Sequence, residues 1–231
     1  MAVAYETGAA ATNVTTIDLS GVSSDAFVVL AWADNLNPPT GTPDGLGGVW
    51  TTLEEITSPT QNGTTVALFS GAAVDPSWTD SVNVTWAAFT GVGSYDSSTL
   101  DFVNVDVDPP SHTSAQVIAA GVDMWATTGG NSGADGTWAA PSGYSNGFTR
   151  DLTSGSCGVA SRDGTDSDTE NPGIWTASGS GTRGHGTTIA LIAAAAAGFS
   201  GYWGLRVASW VMAGTSGLWL PDTASDLLDM V

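Results

Sequence analysis

The chain contains no lysine, and this absence sets the character of its surface. Its 231 residues include four arginines against 23 aspartates and glutamates, which gives a formal net charge of −19. Such a surface repels phosphate groups, so the sequence excludes nucleic acid and anionic lipid as partners. Two interpretations of the acidity stay open. In the first, the acids indicate a saline habitat, because about 1 M salt shortens the Debye length to roughly 3 Å and so screens the repulsion between them. In the second, the acids keep a repetitive β protein soluble.

Cysteine is almost as scarce, because the chain has Cys157 alone. One cysteine excludes an intramolecular disulfide framework and a cysteine metal cluster. Cys157 lies in the apolar stretch SCGVA, which predicts a small core residue. The first residues, MAVAYETGAAATN, have neither a basic region nor a continuous apolar stretch, so we expect no secretory signal.

Long helical patterns are also lacking. Thirty glycines and ten prolines separate short apolar runs, which is typical of an all-β, antiparallel sandwich or barrel. An apolar content of 42% in a chain of this length is enough for one sizeable core. We therefore expect a single β-sandwich domain over residues 1–192, followed by a C-terminal arm over residues 193–231.

Tryptophans recur at nearly constant intervals along the domain. The paired positions are separated by 93, 88 and 89 residues, and the pairs are Trp32 and Trp125, Trp50 and Trp138, and Trp86 and Trp175. This recurrence predicts a doubled β-sheet unit whose halves cover about residues 14–107 and 115–192, with the six indoles in the core. Within the first half, Asn62-Gly63 suits the turn of a hairpin between Trp50–Ile56 and Thr64–Phe69.

The segment after residue 192 breaks the strand pattern. A membrane span needs about 20 continuous apolar residues, whereas several glycines and Arg206 interrupt this stretch. We therefore expect no membrane span but an arm that docks on its own sandwich or on a neighbouring subunit of a homo-oligomer. The predicted interface residues are Phe199, Tyr202, Trp203, Trp210 and Trp219.

Catalytic patterns are weak. Gly143–Gly147 matches the G-x-S-x-G nucleophile motif, but the strand and helix that this motif requires around it are not predicted, so we interpret it as a turn. Nothing selects His112 or His185 as the base of a triad, and both are predicted to be surface or turn histidines. Glu54 and Glu55 are adjacent, so in a strand they point to opposite faces, unlike a glycosidase pair. We predict no catalytic residues and no enzyme activity.

One acidic segment offers ligands for a hard cation. Its carboxylates are Asp163, Asp166, Asp168 and Glu170. Ca²⁺ takes six to eight oxygen ligands in proteins, but the spacing of an EF-hand loop is not met. The segment Asp163–Gly173 is therefore predicted either to hold Ca²⁺ or to be a solvated acidic loop, and no other cofactor is expected.

The order of strands, turns and tryptophans resembles a known family. The chain runs AFVVLAWAD, GGVWTTLEEI, TTVALFSGAA and SVNVTW, and then QVIAAGVDMW, TWAAPSGYSNGF and GTRGHGTTIALIA. This order resembles a β-sandwich domain common in virion proteins of tailed phages, and the resemblance covers about residues 14–192. It implies a jelly-roll-like two-sheet sandwich in which no catalytic residue carries over.

The function that the resemblance implies is that of a non-enzymatic structural protein of an extracellular virus particle. Such a protein is a minor tail, fibre or capsid-decoration component, and its partners are other virion proteins. The alternative is a carbohydrate-binding, receptor-recognition module of the same kind of particle, which binds a host surface glycan. Its site would be formed by the loops Asp34–Gly48, Thr128–Gly136 and Asp163–Gly173.

Overall fold

The chain folds into antiparallel β-strands, which confirms the all-β prediction. A computed structural model describes residues 1–34, 49–56, 62–103, 111–113, 117–132, 138–150, 155–164, 168–177, 183–195, 210–213 and 218–221. The described residues form 17 strands and contain no helix of the length and apolarity that a membrane span requires.

Two five-stranded sheets make up most of the molecule. Sheet 1 consists of β1 (Ala4–Thr16), β2 (Phe27–Asp34), β3 (Trp50–Ile56), β4 (Asn62–Leu68) and β5 (Ser77–Thr90). Sheet 2 consists of β6 (Val92–Val103), β9 (Val122–Ser132), β11 (Ser145–Arg150), β12 (Gly155–Asp163) and β15 (Arg183–Ala193).

Three smaller sheets complete the described strands. Sheet 3 contains β7 (Ser111–Thr113), β10 (Trp138–Ala139) and β14 (Ile174–Ala177). A two-stranded sheet pairs β8 (Val117–Ile118) with β13 (Thr169–Glu170). A hairpin near the C-terminus pairs β16 (Trp210–Ala213) with β17 (Leu218–Pro221).

The two large sheets share one topology. Sheet 1 has the order β1-β5-β2-β4-β3, and sheet 2, read from the matching edge, has the order β6-β15-β9-β12-β11. We number the strands of each sheet here by their order in the chain. The first strand lies at an edge, the second lies at the centre, and the third and fourth pair as a hairpin. The fifth strand lies between the first and the second. The topological units meet at Gly91, so β6 begins the second unit, whereas the predicted first half extended to about residue 107.

An apolar layer joins the two sheets at one end. Phe27 and Val29 of sheet 1 pack there against Ile189 and Leu191 of sheet 2, and all four are fully buried. The same layer includes Phe89, and the described part of this cluster contains no tryptophan. Inter-sheet packing at this end therefore rests on aliphatic and phenyl side chains.

The outer face of sheet 1 is buried as well. Val28, Leu30 and Trp32 alternate along β2 with the inward residues, and they belong to a cluster that also contains Trp78 and Trp86. The connections that follow β1 and β4 cover this face of sheet 1. They contribute Ile17, Leu19 and Phe69 to the cluster. The Leu19 amide donates to Asp75 Oδ1 at 2.7 Å, so the two connections are joined to each other.

The outer face of sheet 2 is closed by two stacked indoles. The rings of Trp138 and Trp175 lie 5.9 Å apart at 18°, and both are buried. They lie over Gly129 and Gly158, which are paired residues of β9 and β12. A Cβ atom at Gly158 would come within 2.5 Å of Trp175 Cζ3, so these glycines make the depression into which the indoles fit.

Five of the six recurring tryptophans are buried, and Trp50 is partly buried on the edge strand β3. Their location differs from the prediction, because they close the outward faces of the two sheets and do not lie between them. Only Trp32 and Trp125 occupy equivalent strands, the central β2 and β9.

Two local predictions need correction. The hairpin of β3 and β4 exists, but Asn62 pairs with Ile56 inside the ladder, so Asn62-Gly63 is not its turn. The segment Thr128–Gly136, predicted to be a loop, contains the second half of β9 up to Ser132.

The chain divides into two compact units, Met1–Ala194 and Ala195–Val231. The division falls two residues after the predicted domain boundary at residue 192. The first unit contains the four sheets formed by β1 to β15, and the second contains the hairpin of β16 and β17.

Candidate functional site

The space between the two large sheets changes from apolar at one end to polar at the other. We call the second region the polar end, and it is lined by side chains that are fully buried although most of them are polar. Its members are Asn62, Thr64, Asn83, Thr85, Thr128, Cys157 and His185. Buried polar groups must find hydrogen-bond partners inside the protein, so their arrangement is specific.

His185 is at the centre of the polar end. Its Nδ1 atom lies 2.6 Å from Asn62 Oδ1, and its Nε2 atom lies 2.8 Å from Thr64 Oγ1. Thr64 Oγ1 lies in turn 2.6 Å from Thr128 Oγ1. Because Asn62 and Thr64 belong to β4 and the other two residues to β9 and β15, this network joins sheet 1 to sheet 2.

Gly130 creates the space for the imidazole. It pairs directly with His185 across β9 and β15, and a Cβ atom at this position would lie 2.5 Å from His185 Cε1. The histidine was predicted to be a surface or turn residue, and this prediction was wrong. His112 lies on β7, and its side chain is outside the described part of the structure.

The network has a consistent proton order. The amide oxygen of Asn62 can only accept, so Nδ1 of a neutral His185 donates to it and Nε2 accepts from the Thr64 hydroxyl. The Thr64 oxygen then accepts from Thr128. A hydroxyl, an imidazole and an orienting amide are also the groups of a nucleophile and its base. All of these groups are fully buried, so no substrate can reach Thr64 in this conformation.

Cys157 and Asn83 extend the polar end toward β5 and β12. Asn83 Nδ2 donates to the Gly155 carbonyl at 3.3 Å, and Thr85 Oγ1 lies 3.8 Å from Cys157 Sγ. Cys157 is buried beside Ala31 and Ala33, which confirms the prediction that it is a small core residue. These contacts again connect the two sheets.

Many strand ends meet around the polar end. According to the register of the ladders, the strand termini there are Asp34, Ile56, Asn62, Val103, Ser132, Arg150, Gly155 and Arg183. Two of the three loops predicted to form a glycan site therefore leave from this end, after Asp34 and after Ser132. The third segment starts at Asp163, which pairs with Met124 near the opposite end of sheet 2.

The acidic segment after β12 is held by an ion pair whose carboxylate is buried and whose guanidinium is partly exposed. Glu170 is only 3% exposed, its Oε1 atom accepts a hydrogen bond from the Tyr144 hydroxyl at 2.9 Å, and its Oε2 atom pairs with Arg162. The Arg162 guanidinium also lies 5.6 Å from the centre of the Tyr144 ring. The prediction of a solvated loop is therefore wrong for Glu170, which pairs with Val117 in a short ladder.

Burial raises the pKa of the Tyr144 hydroxyl above its usual range, and the neighbouring Glu170 carboxylate raises this pKa further. Tyr144 thus stays protonated in the folded chain when free tyrosine, with a pKa of about 10, begins to ionise. Its contribution to stability is complete below pH 10 and is lost as the pH rises further, because only the unfolded chain releases the proton easily.

We expect Tyr144→Phe to have two effects. At pH 7 it lowers the free energy of unfolding by about 1–3 kcal/mol, because the buried Glu170 oxygen loses its donor. Between pH 10 and 12 the stability of the variant falls less steeply than that of the wild type. Denaturant unfolding at a series of pH values measures both effects, and equal slopes for the two proteins would contradict the assignment.

The predicted calcium ligands are not assembled by the described residues. Glu170 is engaged with Arg162 and Tyr144, the Asp168 carboxylate accepts from the Gly121 amide at 3.2 Å, and Asp163 is exposed at the end of β12. Asp166 lies outside the described residues. Within the described part of the chain, no group of three His, Cys, Asp or Glu side chains could hold a metal ion. The Ca²⁺ site stays a prediction.

The predicted interface residues fall largely outside the described part of the chain. Phe199, Tyr202 and Trp203 belong to the undescribed residues, and Trp210 and Trp219 are placed by backbone register alone, as members of β16 and β17. No protein-family model, no curated protein and no solved structure matches this chain.

Proposed function

We propose that the chain is a non-enzymatic structural protein of a tailed virus particle, an exposed tail, fibre or capsid-decoration component. The observation that carries the proposal is the division of the chain into a compact all-β unit and a separate C-terminal segment rich in aromatic residues. The first unit buries both faces of its central strands, β2 and β9. The second is the docking arm of the proposal.

The resemblance to virion β-sandwich domains supports the same function. The proposal keeps the two-sheet sandwich and the assembly role from that resemblance. The packing of the two sheets is jelly-roll-like in this proposal. The order of the strands along the chain is not that of a jelly roll, because the strands of sheet 1 are consecutive in the chain. The acidic, lysine-free surface suits a particle of a saline habitat.

Particle association tests this function. The full chain is expected to be detected by mass spectrometry in purified particles and to sediment with them when added to particles that lack it. A chain that ends at Ala194 retains the first compact unit and is expected to stay in the supernatant. Absence of the chain from purified particles, or equal sedimentation of the shortened chain, would contradict the proposal.

A second candidate is a receptor-recognition module that binds a host surface glycan. The convergence of strand ends around the polar end favours it, because connections at one end of a sandwich commonly form binding sites. A glycan array probed at high salt is expected to show selective binding under this alternative. If the array shows no binding and the full chain is still present in particles, the glycan-binding role is excluded and only the structural role remains.

A further inference from the structure

The chain contains two asparagine–glycine dipeptides, Asn62-Gly63 and Asn146-Gly147. A dipeptide of this kind can modify itself. The backbone nitrogen of the glycine attacks the side-chain carbonyl carbon of the asparagine, ammonia leaves, and a five-membered succinimide ring forms. Water then opens the ring at either carbonyl, which yields aspartate or isoaspartate. Glycine favours the attack because it has no Cβ atom to crowd the nitrogen.

The fold closes the first dipeptide. Asn62 is fully buried, and its Oδ1 atom lies 2.6 Å from His185 Nδ1. Gly63 pairs with Trp32 on one side and with Glu55 on the other, so β4 has a neighbouring strand along both of its edges here. A strand inside a sheet exposes its backbone only when much of the structure opens. Asn62 is therefore protected from the reaction as long as the chain is folded.

The second dipeptide lies in an open position. Asn146 and Gly147 are both exposed on β11, which is an edge strand of sheet 2. The ladder with β12 runs from Ser145 directly to Phe148, so the two residues between them form a bulge opposite a single residue of β12. The Asn146 Nδ2 atom is 3.5 Å from Ser161 Oγ, which is a long and weak hydrogen bond. The fold therefore holds this asparagine loosely.

The backbone of Asn146 has a counterpart elsewhere in the chain. Asn146 has a φ of 50°, in the left-handed region that asparagine adopts more readily than most residues. Asn13 has a φ of 53°, is exposed and lies in a bulge of the edge strand β1. The next residue is Val14, whose branched side chain shields the backbone nitrogen. Of the asparagines that the structure describes, Asn146 alone combines an open bulge with a following glycine.

We propose that Asn146 is a self-modification site, which the folded chain converts to aspartate and isoaspartate without an enzyme. Each event replaces a side-chain amide by a carboxylate and so adds a negative charge to the chain. In isoaspartate the main chain passes through the former side chain and is longer by one carbon atom. Strand β11 can accommodate this atom, because the bulge already interrupts the ladder and the strand lies at an edge. The reaction requires only the folded chain and water, so it is independent of the virion role.

The test follows three asparagines in one sample of the folded full chain, kept for several weeks in mildly alkaline buffer. Digestion before aspartate residues separates them, because residues 1–17, 44–74 and 135–150 form peptides whose only asparagines are Asn13, Asn62 and Asn146. Mass spectrometry detects the reaction as a gain of one mass unit. A new aspartate at position 146 creates a further cleavage site, whereas isoaspartate does not, so the two products are distinguished.

Asn146 is expected to react in the folded chain, while Asn13 and Asn62 stay unchanged. In denaturant Asn62 is expected to react about as fast as Asn146, because both are followed by glycine. Gly147→Ala is the matched variant, and it is expected to slow the reaction at Asn146 about tenfold, which corresponds to about 1.4 kcal/mol in the activation free energy. A Cβ atom at Gly147 would lie 3.5 Å from Ala160 Cβ, an ordinary contact, so the variant is expected to fold.

Three results would overturn the proposal. The first is an unchanged Asn146 in the folded chain, and the second is a reaction of Asn62 in the folded chain at the same rate. The third is an equal rate for the wild type and Gly147→Ala, because the attack would then not depend on the glycine. Thermal unfolding of both proteins in the same buffer shows that they stay folded during the experiment.

Discussion

Replacing His185 by leucine is expected to lower the free energy of unfolding by about 2–4 kcal/mol. The substitution leaves Asn62 Oδ1 without its donor and the Thr64 hydroxyl without its acceptor, in a region that water does not reach. Each buried polar group that loses its partner costs about 1–3 kcal/mol. Denaturant unfolding of the wild type and the variant at pH 7 measures the difference.

A comparison with multiple variants shows whether these groups act as one network. Asn62→Leu, Thr64→Val and His185→Leu together remove three of the four side chains of the network, so the triple variant is expected to be less destabilised than the sum of the three single variants. Thr99→Val is the control, because Thr99 makes a similar 3.1 Å contact with Thr187 in a partly buried position where water can replace it. Additive effects in the triple variant would refute the network.

A buried network of this kind fixes how the two sheets face each other. Apolar contacts between Phe27, Val29, Ile189 and Leu191 tolerate small shifts, whereas the hydrogen bonds of His185 exist in one arrangement only. Sliding one sheet along the other would break the hydrogen bonds of the imidazole to Asn62 and Thr64. The polar end therefore selects one packing from several of similar hydrophobic energy.

The sequence predicted the central strands well. The stretch AFVVLAWA is apolar on both faces, which indicates a strand covered on both sides, and β2 is such a strand. Alternation alone could not show that the tryptophans point away from the second sheet. A pattern of period two separates the faces of a strand but does not say which element covers each face.

Glycine composition was the main source of error in the second half. Gly129 and Gly130 indicated a loop, but they lie in the central strand β9, where one admits Trp175 and the other admits His185. The sequence contained one signal that would have placed the histidine. His185, Thr187, Ile189 and Leu191 occupy alternate positions, so a strand that begins as early as His185 places this histidine on the same face as Ile189 and Leu191, which is the core face.

Replacing Trp175 by alanine is expected to have the other large effect, a loss of about 3–5 kcal/mol in the free energy of unfolding. The substitution removes a fully buried indole, its stack on Trp138 and the hydrogen bond from its Nε1 atom to Thr127 Oγ1 at 3.3 Å. Trp50→Ala is the matched control, because Trp50 is partly buried on an edge strand and is expected to cost less.

The glycines under the indole allow a more specific test of this prediction. Gly158→Ala is expected to destabilise the wild type by about 1–3 kcal/mol, because its new methyl group would overlap Trp175 Cζ3 and the neighbouring Trp138. In the Trp175→Ala background the same substitution is expected to cost less, since Trp138 can move into the vacated space and the methyl group fills part of the cavity. Unfolding of the two single variants and the double variant measures this coupling. If Gly158→Ala costs the same in both backgrounds, the depression in sheet 2 is not what holds the indole, and sheet 3 must be held by its own ladder.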